Sequence, residues 1–187
     1  MKEHAETRGS EGGETTRDKL LAAARECLLR YGHEKSSVKK IAQAAGVNHG
    51  LVHHYFGSKE EMLAQVLDVE AAEIKRRALS VKQRADMVPG FVTPEWLRNT
   101  ERMQLLAEFF AMARHAPLVA EKLREILPDR RKMLMQAWGM DDAMAALVQG
   151  VVFGLGVQKS VDPTTPAEAA AELLSRLLSA ALKSRKE

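Results

Sequence analysis

The sequence predicts an all-α protein of about nine helices. Apolar residues recur three and four positions apart along almost the whole chain, and the alternation typical of a half-buried strand is absent. Capping residues, prolines and glycines divide this pattern into segments of helical length. The chain has 187 residues, of which 45% are hydrophobic and 28% charged, a composition typical of a globular protein that can bury a core.

The ends and the cysteine content indicate the compartment. Residues 1–14 contain glutamates and glycines but no apolar stretch of signal-peptide type, so we expect a flexible leader on a cytoplasmic protein. No run reaches the roughly 18 uncharged apolar residues of a membrane span, and no membrane partner is expected. The single cysteine, Cys27, excludes an internal disulfide and is predicted to be a small buried hydrophobe on its helix.

Three predicted helices over residues 15–57 form a first unit. Each follows a capping residue and ends near a glycine or an aromatic residue. In chain order they are 16–31 after the capping box of Thr15 and Asp18, a short helix after Ser36 or Ser37 that ends at Ala45, and a second short helix from Asn48 to about Phe56. Two short helices joined through Gly46 have the outline of a helix-turn-helix.

Residues 58–187 are predicted to form six further helices in a larger second domain. Their bounds follow from capping boxes and from prolines. In chain order they are 58 to about 79 after Ser58 and Glu61, 94 to about 115 after Thr93, 117–127, 129–138, a helix that Asp141 or Asp142 opens and that ends at about Lys159, and a last helix after Thr165. Pro128 is expected to separate two helices, and residues 80–92 to be a loop or a frayed end.

The second short helix carries polar side chains on its outward side. In a helix-turn-helix this helix enters the major groove, and its N-terminal residues meet base edges. Asn48 and His49 can hydrogen-bond to bases, and Leu51 can contact a thymine methyl group. His53 and His54 also face outward.

Charge is concentrated near this helix, although the net charge of the chain is only +3. Between residues 35 and 60 there are four lysines and one acid, Glu60. Lys59 stands at the start of a helix, where the helix dipole and free amides favour a phosphate. The sequence therefore predicts a local basic face.

The segments VKKIAQAAGV and GLVHHYFGSKEEML lie within residues 15–63. Together they resemble the DNA-binding domain of the tetracycline-repressor (TetR) family of bacterial transcriptional regulators. The resemblance covers about a quarter of the chain, and it implies a C-terminal helical ligand-binding and dimerisation domain. It also implies phosphate contacts from Ser37, His53, Tyr55 and Lys59, and base contacts from Lys39, Asn48, His49, Leu51 and His54. The family usually has tyrosine at the position of His53.

No metal, cofactor or catalytic site is expected. His49 and His53 are four residues apart, which is zinc-ligand spacing, but no cysteine or carboxylate accompanies them in the same short helix. The patterns of a nucleophile elbow, a phosphate-binding loop and a dinucleotide-binding strand–helix unit are missing, so the chain is not predicted to be an enzyme. The glycine-rich run 150–156 lies inside an apolar helix, which favours packing.

Methionine and aromatic residues are abundant between residues 94 and 138. Such residues are more often plain core than a pocket. The family resemblance favours a pocket for a small, mostly apolar effector, with Arg102, Gln104 and Glu108 as further polar candidates. The predicted ligand-binding residues are Met103, Phe109, Phe110, Met112, His115, Met133, Trp138 and Gln149. A plain helix-end histidine remains the alternative for His115.

The last two predicted helices resemble an association surface. Small residues recur every four positions along one edge of the first, and leucines line the second. The predicted interface residues are Ala146, Gly150, Gly154, Leu173, Leu174, Leu177 and Leu178. Two such helices from each copy would form a four-helix bundle in a homodimer. An intramolecular core is the alternative.

We therefore expect a ligand-responsive DNA-binding transcriptional regulator, and specifically a repressor that a small effector releases from a palindromic operator. The alternative is a helical small-molecule-binding or protein-interaction protein that does not bind an operator.

Overall fold

The computed structural model describes residues 15–82 and 99–184, without the side chains of 77–82 and 183. Every regular element in these ranges is a helix, which confirms the predicted fold class. In chain order they are α1 Thr16–Lys35, α2 Val38–Ala44, α3 Gly50–Phe56, α4 Lys59–Lys82, α5 Thr100–Met112, α6 Pro117–Trp138, α7 Asp142–Val161 and α8 Ala167–Ser184. The predicted leader 1–14, the loop from 83 onward and the helix start at Thr93 lie outside the described residues.

Local signals determine both ends of α1. The Thr15 hydroxyl accepts the Asp18 backbone N–H at 3.1 Å, and the Asp18 carboxylate accepts the Thr15 backbone N–H at 3.2 Å. This confirms the predicted capping box. Gly32 has φ 70° and ψ 172°, so the regular helix is interrupted at the predicted residue.

The helix-turn-helix forms as predicted, with small differences at the caps. Ser37 is the cap of α2, whereas the Ser36 hydroxyl is buried and donates to the Gly32 carbonyl at 2.6 Å. Gly46 has φ 69° and allows the turn between α2 and α3. The Asn48 side chain accepts the N–H of the first residue of α3 at 2.8 Å. The turn thus orients α3 against α1 and α4.

The prediction that Pro128 separates two helices is wrong. α6 runs from Pro117 to Trp138 with Pro128 inside it, so the described residues contain eight helices where nine were expected in the whole chain. An interior proline costs about 3 kcal/mol. Val119 and Leu123 before it and Leu134 after it are all buried, and each such burial contributes about 1.5–3 kcal/mol. Continuing the helix therefore outweighs the cost of the proline.

Two apolar clusters hold the helices together. The first joins α1–α3 to α4, α5 and the first half of α6, so the core crosses the domain boundary that we placed at residue 57. It contains Cys27, which is buried as predicted, and burial raises the pKa of its thiol. The second cluster joins the end of α6 to α7 and α8. α5 and α6 thus link α1–α3 to the C-terminal pair α7 and α8.

Among the described residues, α7 is long and apolar enough by composition to cross a membrane. The core helix of a soluble protein has the same composition. One side of α7 buries Ala145, Val148 and Val152 against neighbouring helices. On its other side Leu147 is 57% exposed. The helix is therefore apolar on a face that the single chain does not cover.

Phe109 and Phe110 provide a matched test of this packing. Phe109 is fully buried, so Phe109→Ala should lower the free energy of unfolding by about 3–5 kcal/mol. Phe110 is 38% exposed, and Phe110→Ala should cost about 1–2 kcal/mol. Urea unfolding at one protein concentration measures both changes. Equal losses would contradict the difference in burial.

Candidate DNA-binding surface and ligand cavity

The outward side of α3 presents the polar residues that the sequence singled out. Val52 and Phe56 are buried and fasten the helix to the core. The exposed candidates on or just before α3 are Asn48, His49, His53, His54 and Tyr55. Leu51 is half-buried and packs against the first cluster, so only part of its side chain is available for a thymine methyl group.

Two of the candidates cap helices and keep a hydrogen-bond donor. Ser37 accepts the Lys40 backbone N–H at 3.2 Å, which leaves its O–H free to donate. Asn48 uses its carbonyl oxygen at the start of α3, which leaves its amide NH₂ group. Lys39 is exposed beside them. Ser37 and Asn48 can therefore keep their capping bonds and also donate to nucleic acid.

His53 contacts the end of its own helix. Its Nδ1 lies 3.0 Å from the Gly57 carbonyl oxygen. Because a carbonyl oxygen only accepts, Nδ1 carries the hydrogen, and Nε2 of the neutral ring has only a lone pair. An Nε2–H that donates to a phosphate exists only in the protonated ring.

Lys59 is less exposed than its predicted role requires. Its Nζ donates to the His33 carbonyl at 2.7 Å, and burial lowers the pKa of its ammonium group. The His33 N–H donates to Glu108 on α5 at 3.0 Å. Two N–H groups of the Lys59 ammonium remain for a phosphate. The residue thus also joins the start of α4 to the end of α1.

Glu60, the one acid between residues 35 and 60, forms a hydrogen bond to α6. Glu60 accepts the Leu118 backbone N–H at 2.7 Å, in the first turn of α6. Lys40 lies over the Tyr31 ring, 4.1 Å from its centroid. The one acid between residues 35 and 60 is therefore bonded to α6, and the lysines near α3 keep their positive charge on this surface.

A buried carboxylate connects three helices near the middle of α4. Glu70 accepts the Arg25 Nε–H of α1 at 2.8 Å and the Arg102 Nε–H of α5 at 2.9 Å. Glu70 and Arg102 are both 5% exposed. Arg102, a polar candidate for the ligand pocket, therefore pairs with Glu70. Of the other polar candidates, Glu108 bonds to the backbone of α1 and Gln104 is exposed.

A partly open cavity of about 220 Å³ lies between α4, α5, α6 and α7. Phe110 and Gln149, both predicted to bind ligand, line it. The Phe110 and Phe153 rings are 4.9 Å apart at one side of the cavity. The other described lining residues are Leu67, Ala71, Ile74, Leu106, Leu123, Ile126, Leu127, Arg130, Ala146 and Gly150.

The remaining predicted ligand residues lie in four other settings. Met103, Phe109 and Met112 are buried core residues, and His115 is exposed in the turn after α5. Trp138 packs against the second cluster. Met133 lines a neighbouring cavity of about 470 Å³, which shares Ala71, Ile74, Ile126 and Arg130 with the first.

The predicted interface residues divide between two sides of α7 and α8. Leu173 and Leu177 are 50% and 60% exposed, whereas Leu174 and Leu178 are buried against α7. Ala146 and Gly150 lie on the exposed side and also line the cavity. A side chain added at Gly150 or Gly154 would meet open space. Only the exposed subset is available to a second copy.

Within residues 15–82 and 99–184, no group of three or more histidine, cysteine or acidic side chains is arranged to hold a metal ion. His49 and His53 thus have no third such group beside them.

The comparisons with known proteins agree on the N-terminal helices. Residues 20–66 match the family model for bacterial regulatory proteins of the tetR family. Residues 20–66 are thus a TetR-family domain. It is 30% identical over 59 residues to the HTH-type transcriptional repressor AcnR of Corynebacterium efficiens, a match that covers 32% of this chain and 31% of AcnR. It is 33% identical over 69 residues to the HTH-type transcriptional regulator BetI of Agrobacterium fabrum, covering 37% and 34%.

Solved structures extend the likeness in fold to most of the chain. A transcriptional regulator from Rhodococcus sp. Rha1 has a TM-score of 0.77 at 26% identity, covering 87% of this chain and 95% of that one. A TetR transcription regulator from Haloarcula marismortui has the same fold, with a TM-score of 0.69 at 14% identity, covering 90% and 97%. The curated relatives are matched over only about a third of their length. All four proteins are named as regulators or repressors, in agreement with the prediction that this chain is not an enzyme.

Two features of this chain escaped the sequence interpretation. The contacts of Glu70 join residues 45 and 32 positions away, and no local pattern indicates such pairs. Arg130 follows Leu123 and Leu127 and precedes Leu134 on one helical stripe, which is a usable signal. That stripe was hidden because we expected Pro128 to end the helix.

His53→Tyr tests the phosphate contact at the position where the TetR family usually has tyrosine. The tyrosine O–H can donate to a phosphate, whereas the Nδ1–H of His53 already donates to the Gly57 carbonyl. His53→Tyr should therefore strengthen binding to every duplex. Fluorescence anisotropy with one duplex measures the affinity of both proteins. Equal or weaker binding by the variant would contradict a phosphate contact at this position.

Proposed function

We propose that this chain is a dimeric repressor that binds palindromic operator DNA through α3. A small, mostly apolar effector in the 220 Å³ cavity releases it from the operator. One observation carries the proposal: α4 begins beside α3 at Lys59, and its residues Leu67, Ala71 and Ile74 form one wall of the cavity. Both sites thus touch the same helix. Such a regulator acts in the bacterial cytoplasm, where the DNA lies.

The DNA-binding half of the proposal is supported by chemistry at the surface of α3. Asn48 keeps its NH₂ group and His49 has no capping bond, so both can reach base edges in a major groove. Ser37, Tyr55 and Lys59 keep O–H or N–H donors suited to phosphates. Base-reading and phosphate-binding groups therefore lie within one short helix and its flanks.

The coupling half rests on Glu70, which lies on α4 between the cavity residues Leu67 and Ala71. A ligand that pushes on this wall of the cavity also displaces the carboxylate that holds Arg25 of α1. A ligand shifts the DNA-binding equilibrium only by its different affinity for the two arrangements. Coupling of about 1–3 kcal/mol, or roughly 5- to 150-fold, is the usual range.

The dimer is supported by the uncovered apolar faces of α7 and α8. Leu147, Leu173 and Leu177 are each at least half exposed, on two helices that pack together. A second copy related by a two-fold axis would cover them, and it would supply the second α3 that a palindromic operator requires.

Operator binding is tested with duplexes that the purified full chain selects from random DNA. Lys59→Ala should weaken binding to every duplex and lower the slope of affinity against salt by about one unit. His49→Ala should instead reduce the preference for the selected sequence. Lys75→Ala is the matched control, because Lys75 is an exposed lysine sixteen residues further along α4.

Two outcomes of this experiment would contradict the proposed DNA binding. Failure to select any sequence would favour the alternative of a small-molecule-binding or protein-interaction protein. Equal effects of Lys59→Ala and His49→Ala on sequence preference would contradict their separate roles.

The dimer is tested at Leu177, because a charge at buried Leu174 would also disturb the folded core. Leu177→Glu should produce monomers that bind the operator much more weakly, since it places a carboxylate in the apolar interface. Val69→Glu makes the same kind of change at a residue of α4 that is 54% exposed, and it should leave the dimer intact. Sedimentation velocity measures both variants. A dimer after Leu177→Glu would contradict this interface.

A further inference from the structure

The cavity between α4, α5, α6 and α7 has a mostly apolar wall. Of its described lining residues, only Arg130 and Gln149 have polar side chains. Arg130 already has an interaction partner in the chain, and no acid among the described lining residues offers a partner to a cation. The neutral amide of Gln149 is therefore the group through which this wall can recognise the polar part of a ligand.

The Gln149 amide keeps unused hydrogen-bonding groups. Its Nε2 donates one N–H to the Leu127 carbonyl at 3.2 Å, and this bond fixes which end of the amide is the nitrogen. Among the described residues, its Oε1 and the second N–H of Nε2 form no hydrogen bond. Gln149 is half-buried, and its amide oxygen remains accessible beside the cavity that the residue lines. An apolar cavity with an accessible amide oxygen suits a ligand with one O–H donor.

Two aromatic rings lie on the same side of the cavity as this amide. Phe153 follows Gln149 by four residues on α7, which places the two side chains on one helix face with their Cβ atoms about 5–6 Å apart. The Phe153 ring is 4.9 Å from the Phe110 ring of α5, at a tilt of 46°. Both residues line the cavity, and Phe110 is 38% exposed, so part of its ring is uncovered. A third ring would fit there in the offset or edge-to-face geometry that aromatic groups prefer.

We propose that the cavity takes a neutral aromatic ring that carries one hydroxyl group. This inference rests on the proposed effector site and names the chemical class of its ligand. The ring packs against Phe110 and Phe153, and the hydroxyl donates its hydrogen to Gln149 Oε1. The aliphatic lining residues of α4 and α6 contact the rest of the ring.

The volume suits a single ring. An apolar cavity of about 150 Å³ accommodates benzene, so about 220 Å³ accommodates roughly nine non-hydrogen atoms. Phenol is within this size and is the probe. Benzene has the same ring without the hydroxyl, and cyclohexanol has the hydroxyl on a saturated ring, so these two are the matched comparisons.

Calorimetric titration of the full chain with the three probes tests the inference. Comparing the ratio of phenol to benzene affinity between the unaltered chain and a variant cancels the difference in hydration of the two probes. Gln149→Met should shift this ratio about three- to tenfold toward benzene, the effect of one neutral hydrogen bond. Ile126→Met, an apolar exchange on the same wall, should leave the ratio in place. Thermal unfolding verifies that each variant is folded, and Gln149→Leu replaces Gln149→Met if that variant is not.

Phe153→Leu tests the contact between the two rings and the ligand. It should reduce the preference for phenol over cyclohexanol by about two- to tenfold, because paired aromatic rings gain energy beyond the area that they bury. The ratio of phenol to benzene affinity should stay as it is in the unaltered chain, since Gln149 is retained. An unchanged preference for phenol over cyclohexanol would overturn the aromatic class.

Operator binding measured with each probe separates this inference from the proposed function. If phenol binds through Gln149 but leaves operator affinity unchanged, the ligand class stands and the release mechanism fails. If the probes release the operator but Gln149→Met leaves the ratio of phenol to benzene affinity unchanged, the release mechanism stands and the hydroxyl class is overturned. If no probe binds the unaltered chain, or if the benzoate anion binds more tightly than phenol, the inference is overturned.

Discussion

The carboxylate of Glu70 is buried between two arginines that belong to different parts of the molecule. Removing a charge from water is costly, and leaving one buried charge without its partner typically costs about 3–5 kcal/mol. Arg25 on α1 and Arg102 on α5 must therefore keep their positions for as long as Glu70 stays in the core. This carboxylate therefore holds α1, α4 and α5 in one arrangement, more strictly than apolar contact alone, which tolerates sliding.

Other polar contacts repeat this connection closer to α3. Lys59 and Glu108 bond to the backbone carbonyl and N–H of the same residue, His33, and Glu60 caps the first turn of α6. The first two contacts join the end of α1 to α4 and α5, and the third joins α4 to α6. The apolar core is also continuous across the predicted domain boundary. A displacement of α4 at the cavity would therefore also move groups that hold the end of α1.

Prediction from sequence succeeded where short-range chemistry decides the structure. The capping box at Thr15, the break at Gly32 and the turn at Gly46 each depend on residues a few positions apart. It failed at Pro128, because burial on both sides of the proline outweighed its local cost, and this error concealed Arg130. It also could not separate buried from exposed leucines in α8, since neighbouring stripes of a leucine-rich helix look alike until the packing partner is known. The candidate DNA-binding residues come from a family resemblance that covers them and stay a prediction, whereas the cavity depends on contacts between distant segments.

Because α4 is long, a small tilt of that helix displaces its start by several ångströms. Glu70 lies eleven residues after Lys59, which corresponds to about 16 Å along the helix axis. Rotating α4 by about 10° around Glu70 would move its start by roughly 3 Å, by the geometry of a rigid rod. In a two-fold symmetric pair both rods turn in opposite senses, so the distance between the two α3 helices could change by up to about twice that amount. Successive major grooves on one face of DNA recur about every 34 Å, so a rotation of about 10° would move the two α3 helices out of register with them.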